Sequence, residues 1–251
     1  MNRIEKSKEK FNQLFGEGVT AVRATDPEFQ DILNHFIFGE VFYQGNLDDK
    51  TRELITLVVL TTNQTLPQLK AHVSAALNVG LTPVEIKEAV YQCAPYIGFP
   101  KTLNAIDEVN EVFKAKNIAL PIESQKQVNE ENRFDKGVSV QVELFGDFIT
   151  KMQESTPSNQ KHIQEYLSAF CFGDFYTRGG LDLKTRELLT FCIISAMGGT
   201  EFQMKGHVQA NKNVGNDKET LITAITHCLP YMGFPRTINA LACINEVIPE
   251  N

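Results

Sequence analysis

The sequence predicts an all-α fold built from two tandem copies of one helical unit, and three observations support this prediction. Long stretches of the chain repeat each other at a nearly constant offset. Helix-start signals recur at corresponding places in both copies. No segment shows the strict alternation of apolar and polar side chains that is typical of a half-buried strand. A chain that repeats itself in this way is expected to fold as two similar units.

The repetition is clearest in three sequence blocks. L-D-D-K-T-R-E-L returns as L-D-L-K-T-R-E-L, K-A-H-V returns as K-G-H-V, and C-A-P-Y-I-G-F-P-K-T-L-N-A returns as C-L-P-Y-M-G-F-P-R-T-I-N-A. The blocks begin at residues 47, 70 and 93 in the first copy and at 181, 205 and 228 in the second. We therefore predict one domain over residues 1–117 and a second over residues 130–251. The polar stretch from Asn117 to Asn132 is the predicted seam.

The first block predicts the central helix of each unit. Asp48 and Asp182 are candidate N-caps, because a short carboxylate side chain can accept hydrogen bonds from the first free N–H groups of a helix. The residues after the first turn are apolar on nearly every side. A helix with this pattern is normally buried at the centre of a domain.

The next three helices, and the corner between the last two of them, follow from glycine and proline positions. Gly80 and Gly215 are expected to end a helix that carries a histidine in each copy. Pro95 and Pro230 are expected to disrupt the last turn of the following helix. A glycine three residues later permits a sharp reversal, and a second proline then lies in the first turn of the next helix. The repeated motif is therefore predicted to be a helix–turn–helix corner.

The bulk composition excludes several classes of function. The net charge is −7, with 24 basic and 31 acidic residues, so we expect no nucleic-acid partner. The longest apolar run is too short to span a bilayer, and the start M-N-R-I-E-K-S-K-E-K is charged where a secretion signal would be apolar. Five cysteines, without C-x-x-C or metal-ligand spacing, indicate reduced thiols and no metal site. We therefore expect a cytoplasmic protein without a membrane partner.

Two acidic residues are difficult to explain as ordinary surface positions. Glu53 shares a helix face with Leu57 and Leu60, and Glu187 repeats this arrangement. A carboxylate on an apolar face is costly unless it is paired. The structural alternative is that the positive helix start or the neighbouring Arg52 stabilises the charge.

His72 and His207 are the predicted partners of these glutamates. Each imidazole lies at the edge of the buried stripe of its helix, where a lone histidine is more often a core residue than a catalyst. Each, however, follows a predicted buried glutamate by 19 or 20 residues. One helical hairpin could bring the two side chains into contact, and a carboxylate that fixes an imidazole tautomer suits general acid–base catalysis. We therefore predict that Glu53, His72, Glu187 and His207 are catalytic.

The cysteines and the other histidines carry less information. Cys93 and Cys228 correspond to each other, but each lies on an apolar helix face, where free cysteine is commonly a small buried hydrophobe. The remaining cysteines have no matching cysteine in the other copy. His35, His162 and His227 also lack a histidine counterpart, so we predict no role for them.

The order and spacing of these motifs resemble the carboxymuconolactone decarboxylase family, which shares its all-helical fold with the alkylhydroperoxidase D proteins. The motifs are R-E-L-x-T-L, [AG]-H-V, T-x-x-E-I and P-Y-x-G-F-P-[KR]-T-x-N-A. The resemblance extends from Phe38 to about Val112 and from Phe172 to Val247. It implies units that assemble into rings, so the expected assembly is a homo-oligomer, a trimer of tandem chains.

The resemblance also distinguishes two branches of this superfamily. The peroxidase branch carries a C-x-x-C before the histidine, and these positions hold Thr65 and Gln68 in the first copy and Thr200 and Gln203 in the second. Without the thiol pair, disulfide exchange of that type has no route. The decarboxylase branch is therefore favoured. Two alternatives stay open: a thiol-dependent peroxidase that uses Cys93 or Cys228, and a non-catalytic assembly or sensing module.

The reaction implied by the resemblance is loss of carbon dioxide from a small anionic lactone, for which no cofactor is required. The protein must stabilise a developing oxyanion, exclude water and deliver a proton to carbon. In this interpretation a histidine delivers the proton and its glutamate orients it. Arg52 and Arg186 are predicted to hold a substrate carboxylate, although structural ion pairs are an equal alternative for them. Tyr96 and Tyr231 are predicted to line the pocket.

Overall fold

A computed structural model describes residues 1–17 and 24–250, and this part of the chain contains helices and connecting segments but no strand. The all-α prediction is confirmed. Within these residues, no helix combines the length and the apolar character that crossing a membrane requires.

The helices fall into two sets that follow the sequence repeat. Those of the first repeat are α1 (Arg3–Phe15), α2 (Pro27–Gly39), α3 (Asp49–Asn63), α4 (Leu66–Asn78), α5 (Pro83–Gln92), α6 (Ala94–Ile97) and α7 (Phe99–Ala115), with a 3-10 turn at Val41–Tyr43. Those of the second are α8 (Arg133–Phe145), α9 (Phe148–Ser155), α10 (Lys161–Tyr166), α11 (Leu183–Met197), α12 (Glu201–Asn213), α13 (Lys218–Met232) and α14 (Phe234–Val247), with a 3-10 turn at Ser158–Gln160 and a π-helix at Leu167–Tyr176. The tandem duplication is confirmed, and the exact domain boundaries stay a prediction.

The central helices α3 and α11 join the two repeats into one core. Every residue is buried from 52 to 62 in α3 and from 186 to 196 in α11. The predicted caps begin both helices, because Asp48 accepts from the N–H of Thr51 and Asp182 from that of Thr185, each at 2.7 Å. Helix α3 packs against α11 and α13, so one continuous apolar cluster contains side chains of both repeats.

The repeated corner has the predicted reversal, but one of its prolines acts differently. Gly98 and Gly233 have φ angles of +84° and +81°, values that side-chain-bearing residues rarely adopt. Pro95 follows the break between α5 and α6, whereas α13 runs through Pro230 to Met232. The prediction that Pro230 disrupts its helix is therefore wrong. A proline so close to a helix end removes few hydrogen bonds, and Gly233 N–H still donates to the carbonyl of Leu229 at 2.9 Å.

Two outer helix pairs pack closely because each contains glycine at its crossing point. In the first repeat, α1 crosses α2 at Gly39, where an added Cβ would lie 2.2 Å from the carbonyl oxygen of Arg3. In the second, α8 crosses the π-helix, and a Cβ at Gly137 would lie 1.9 Å from the carbonyl oxygen of Ser168. Only hydrogen at these positions allows the backbones to approach this closely. The second crossing also holds the π-helix, which ends at Tyr176, against α8.

We expect Gly137→Ala to lower the free energy of unfolding by at least about 2 kcal/mol, because its methyl group would overlap a backbone oxygen that cannot move aside. Gly206→Ala is the matched control, since Gly206 is an exposed position within α12 with no atom near its added Cβ. That change is expected to raise the free energy of unfolding by about 1 kcal/mol through helix propensity. Urea denaturation measures both values, and equal effects of the two substitutions would contradict the close crossing.

Candidate active site

Two helical hairpins each bring one glutamate and one histidine together. In the α3–α4 hairpin, His72 Nδ1 lies 2.9 Å from Glu53 Oε2. In the α11–α12 hairpin, His207 Nδ1 forms the equivalent hydrogen bond with Glu187 Oε1. Both carboxylates are fully buried, whereas the imidazoles are 7% and 9% exposed. The structure thus pairs the four residues that the sequence analysis selected, and their catalytic role stays a prediction.

The hydrogen bond between Glu53 and His72 defines what the imidazole can do. A carboxylate accepts only, so Nδ1 carries the proton and donates it to the hydrogen bond. Nε2 is then the atom that can take up or release a proton toward a bound molecule. The carboxylate behind the ring also fixes its orientation. The same reasoning applies to His207, and both pairs therefore have the arrangement of a general acid–base group.

The site in the first repeat, defined by Glu53 and His72, is enclosed by aromatic rings from both repeats. The ring of Phe15 lies 5.4 Å from that of His72, and Tyr231 of the second repeat approaches His72 edge-on at 5.8 Å. Phe42 packs at 4.9 Å against His227, another contribution of the second repeat. These aromatic rings bury most of the Glu53–His72 pair, and neither repeat supplies them alone.

His227 is a fully buried component of this first site. Its Nε2 lies 2.9 Å from the hydroxyl of Thr56, and that hydroxyl donates to the carbonyl of Arg52 at 3.0 Å. The hydroxyl must therefore accept from Nε2–H, which leaves a lone pair on Nδ1. Burial is the largest cause that lowers the pKa of His227 well below its usual value, and the charges of Arg52 and His72 lower it further. His227 is therefore neutral at physiological pH.

His227 could not be predicted from the sequence repeat because its counterpart is not a histidine. The corresponding residue is Gln92, which donates from Nε2 to the hydroxyl of Thr190 at 3.1 Å in the second site. Gln92 and His227 both directly precede the repeated cysteine of the corner motif. A polar residue directly before the repeated cysteine in both copies was the signal available.

The site in the second repeat, defined by Glu187 and His207, contains a tyrosine that the sequence analysis also missed. Tyr176 donates to Glu187 Oε2 at 3.0 Å, and its oxygen lies 2.7 Å from the hydroxyl of Thr190 and 2.8 Å from that of Tyr96. Tyr96 belongs to the first repeat, and its ring lies 6.1 Å from that of His207. Each site thus contains a tyrosine from the opposite repeat, and the roles of Tyr96 and Tyr231 in lining a substrate pocket stay a prediction.

The two buried arginines bind other groups of the protein rather than the glutamates beside them. The guanidinium of Arg52 donates to the backbone carbonyls of Val41, Gln44 and Leu47. That of Arg186 donates to Glu88, Gln92 and the carbonyls of Arg178 and Gly179. Arg186 forms the structural ion pair, with Glu88, whereas Arg52 is held by backbone carbonyls and forms no ion pair with the described residues. Glu53 forms a hydrogen bond with His72, whereas the guanidinium of Arg52 donates to backbone carbonyls.

The cysteines lie in the core of the protein. All five are buried, and the thiols of Cys93 and Cys228 are completely enclosed. Burial raises the pKa of both thiols far above the usual value, and it raises that of Cys171 to about 12. Thiolates, the reactive form of cysteine, are therefore not populated at these positions near neutral pH.

Other candidate sites are few in the part of the chain that the structure describes. Residues 1–17 and 24–250 contain no cluster of three or more histidine, cysteine, aspartate or glutamate side chains placed to hold a metal ion. A surface cavity of about 590 Å³ lies between α2 and α4, and its walls are Asp26, Phe29, Gln30, Leu33 and Gln68. This open cavity includes none of the paired glutamates or histidines.

Comparison with known proteins gives matches to both repeats. The family model described as the carboxymuconolactone decarboxylase family matches residues 27–111 and again residues 161–246. The 4-carboxymuconolactone decarboxylase of Acinetobacter baylyi is 30% identical over 124 residues, which are 49% of this chain and 92% of that protein. The nitrosuccinic acid decarboxylase of Metarhizium robertsii is 34% identical over 77 residues, which are 31% of this chain and 54% of that protein. An uncharacterised 15.0 kDa protein of Paracoccus denitrificans is 36% identical over a match that covers 41% of this chain and 90% of that protein.

We expect the native protein to be inert toward thiol reagents and hydrogen peroxide, because its thiols are buried and protonated. Titration with a chromogenic disulfide should detect less than about one thiol per chain in the native state, and all five after unfolding in guanidinium chloride. Rapid labelling of Cys93 or Cys228, together with peroxide consumption that alkylation removes, would instead support the thiol-dependent peroxidase.

The low pKa of His227 makes stability depend on pH in a defined direction. Below the unfolded pKa of about 6.5, the unfolded chain binds a proton at this residue that the folded protein does not bind. Stability is therefore lost as the pH falls through this value. Between pH 7.5 and 5.5, His227 is expected to lower the free energy of unfolding by about 1.4 kcal/mol.

His227→Gln, which introduces the residue found at position 92, should remove this contribution while it retains a donor for Thr56. Denaturant unfolding of both proteins at the two pH values measures the effect. The same decrease in the unfolding free energy of the wild type and the variant would contradict the neutral, buried state of His227.

Proposed function

Because the chain belongs to the carboxymuconolactone decarboxylase family, we propose that it is a cofactor-free decarboxylase of the 4-carboxymuconolactone decarboxylase type, acting on a small carboxylated lactone. Relatives named as decarboxylases match it at 30% and 34% identity. The observation that carries the proposal is the buried Glu–His hydrogen bond, which recurs in both repeats.

The proposed reaction needs one proton and releases one molecule of carbon dioxide. The bond between the carboxylate carbon and the lactone ring breaks, and its electron pair delocalises through the conjugated lactone onto the carbonyl oxygen. A proton from Nε2 of the imidazolium of His72 or His207 then adds to the ring carbon. The neutral imidazole recovers a proton from solvent, which completes the cycle without an oxidant, a reductant or a metal.

The surroundings of the first site support this chemistry. Glu53 stabilises the imidazolium of His72 before the proton is transferred. The aromatic rings of Phe15 and Phe42 lower the local dielectric constant, which strengthens every charge–dipole interaction at the developing oxyanion. The buried hydroxyl of Tyr231 is a donor suited to that oxyanion. Burial raises the pKa of Tyr231, with Glu53 as a second cause, so the hydroxyl keeps its proton.

We also propose a homo-oligomer, a trimer of tandem chains, in the cytoplasm. Large apolar side chains are more than half exposed at corresponding positions in the two repeats, Phe99 with Phe234 and Leu103 with Ile238. They lie on α7 and α14, which follow the repeated corner. Exposed apolar residues that recur on equivalent faces are typical of subunit interfaces. The five free cysteines accord with a reducing compartment.

We expect the purified protein to convert 4-carboxymuconolactone, and the double variant His72→Ala with His207→Ala to lower kcat by at least about 100-fold, because the proton donor is removed. The matched control is Lys70→Ala with Lys205→Ala. These lysines lie on the same two helices, two residues before each histidine, and form surface ion pairs that contribute little to stability.

The assay follows loss of substrate absorbance together with release of carbon dioxide. Wild-type turnover that the control retains and the histidine variant loses supports the proposal. Equal rates in all three proteins would remove the histidines from the mechanism. Failure of the wild type to release carbon dioxide from this lactone would refute the proposed substrate.

The proposed assembly predicts a mass in solution of three times the 28.2 kDa of one chain. Leu103→Asp with Ile238→Asp is expected to shift the protein to smaller species, since charges would be buried at the interface. Size-exclusion chromatography with light scattering measures both masses. A monomeric wild type would contradict the trimer.

A further inference from the structure

The two sites differ at one position in the sequence repeat. Phe42 of the first repeat corresponds to Tyr176 of the second, at the offset of 134 that also relates Thr56 to Thr190 and Glu53 to Glu187. Both aromatic side chains are 4% exposed; Tyr176 hydrogen-bonds to the carboxylate of its site, and the ring of Phe42 packs 4.9 Å from that of His227. The difference between the two side chains is a single hydroxyl group.

In the second site, this hydroxyl completes a closed hydrogen-bond network. Tyr176 donates to Glu187 Oε2, so its oxygen can accept from the hydroxyls of Thr190 and Tyr96. The other carboxylate oxygen of Glu187 is bound by His207. Both oxygens of Glu187 and the hydroxyl of Tyr96 are therefore satisfied by groups of the protein itself.

In the first site, the corresponding groups have no such partner. Among residues 1–17 and 24–250, three buried polar atoms of this site make no hydrogen bond of normal geometry: Glu53 Oε1, the hydroxyl of Tyr231, which lies near that of Thr56, and His227 Nδ1. The first two are the counterparts of the atoms that Tyr176 binds in the second site. Buried polar groups without partners are rare in native proteins because each loses its hydration without compensation.

The unpartnered atoms define the hydrogen-bonding character of a group that would fit between them. Glu53 Oε1 and His227 Nδ1 are acceptors, whereas the hydroxyl of Tyr231 can donate. The ring of Tyr231 lies 5.8 Å from that of His72 and 6.0 Å from that of His227, so these groups face one region. A hydroxyl, an enol or a protonated carboxyl group presents both a donor and an acceptor, as the hydroxyl of Tyr176 does.

We propose that the Glu53–His72 site is the ligand-binding site of this protein, and that Tyr176 closes the Glu187–His207 site by occupying the position of the ligand's polar group. The ligand class is a small molecule with an enol, hydroxyl or carboxylic acid group, which donates to Glu53 Oε1 and accepts from the hydroxyl of Tyr231. This inference rests on the proposed function for the reaction, but binding at the first site does not depend on it.

The inference assigns a role to two residues of the second repeat. Tyr231 would bind the oxygen on which charge develops during decarboxylation, and His227 would position the ligand through its lone pair. The tandem arrangement then makes one composite site, because the second repeat supplies a donor, Tyr231, and an acceptor, His227, to the first while its own pair is closed.

The test exchanges the two aromatic residues and uses acetic acid, the probe, as a small carboxylic acid. Crystals of the wild type, Phe42→Tyr, Tyr176→Phe and the double exchange are soaked in acetate at pH 5. In the wild type, acetate is expected between Glu53 and Tyr231 only. It should be lost from Phe42→Tyr, and it should appear between Glu187 and Tyr96 in the double exchange. Phe42→Leu, which alters the ring without adding a hydroxyl, should still bind acetate.

Thermal unfolding gives a second measurement that needs no ligand. Phe42→Tyr should raise the melting temperature by about 2–4 °C, because its hydroxyl satisfies the buried atoms, and Tyr176→Phe should lower it by a similar amount. Acetate at both wild-type sites, at the second site alone, or at neither site would overturn the inference. A lower melting temperature for Phe42→Tyr, or a higher one for Tyr176→Phe, would also overturn it.

The lactone assay separates this inference from the proposed function. If the wild type converts 4-carboxymuconolactone, Phe42→Tyr is expected to lower kcat/KM for this lactone by at least about 100-fold. An unchanged kcat/KM would refute the assignment of the first site. Acetate bound only at the first site, without lactone turnover by the wild type, would refute the decarboxylase and leave the binding site in place.

Discussion

The hydrogen bond between a fully buried carboxylate and an imidazole is the constraint on which the rest of the structure depends. Glu53 and Glu187 lie in the most enclosed helices of the protein, where an isolated charge would be strongly destabilising. His72 and His207 compensate for this burial, and they do so across a hairpin. The close packing of α3 with α4 and of α11 with α12 is thus linked to the same contact that gives the sites their acid–base character.

The tandem duplication changes what one unit can do. Because α3 packs against α13, the second repeat contributes Tyr231 and His227 to the first site, and the first repeat contributes Tyr96 to the second. Two copies that remain covalently joined can diverge at single positions without losing the shared core. The pair Phe42 and Tyr176 shows such a divergence. The hydroxyl of Tyr176 gives the buried polar atoms of the second site a hydrogen-bond partner within the protein, and Phe42 has no such group.

Much of the fold, and the pairing of glutamate with histidine in each site, can be predicted from the sequence. The sequence signals for these features are local, and each occurs in both repeats. The caps at Asp48 and Asp182, the reversals at Gly98 and Gly233 and the Glu–His spacing each repeat in register. His227 and Tyr176 could not be found in this way, since their counterparts are different residue types and their contacts join distant parts of the chain. Arg52 and Arg186 illustrate the opposite problem. Their conspicuous charges suggested a substrate carboxylate, yet the structure surrounds them with internal acceptors.

The central claim is that the negative charge of Glu53 enables His72 to carry and deliver a proton. Steady-state turnover of 4-carboxymuconolactone by Glu53→Gln tests it most directly, because glutamine keeps the size and a hydrogen-bonding oxygen but removes the charge. The account predicts a fall in kcat of at least about 100-fold with little change in KM. A kcat within about twofold of the wild type would contradict it.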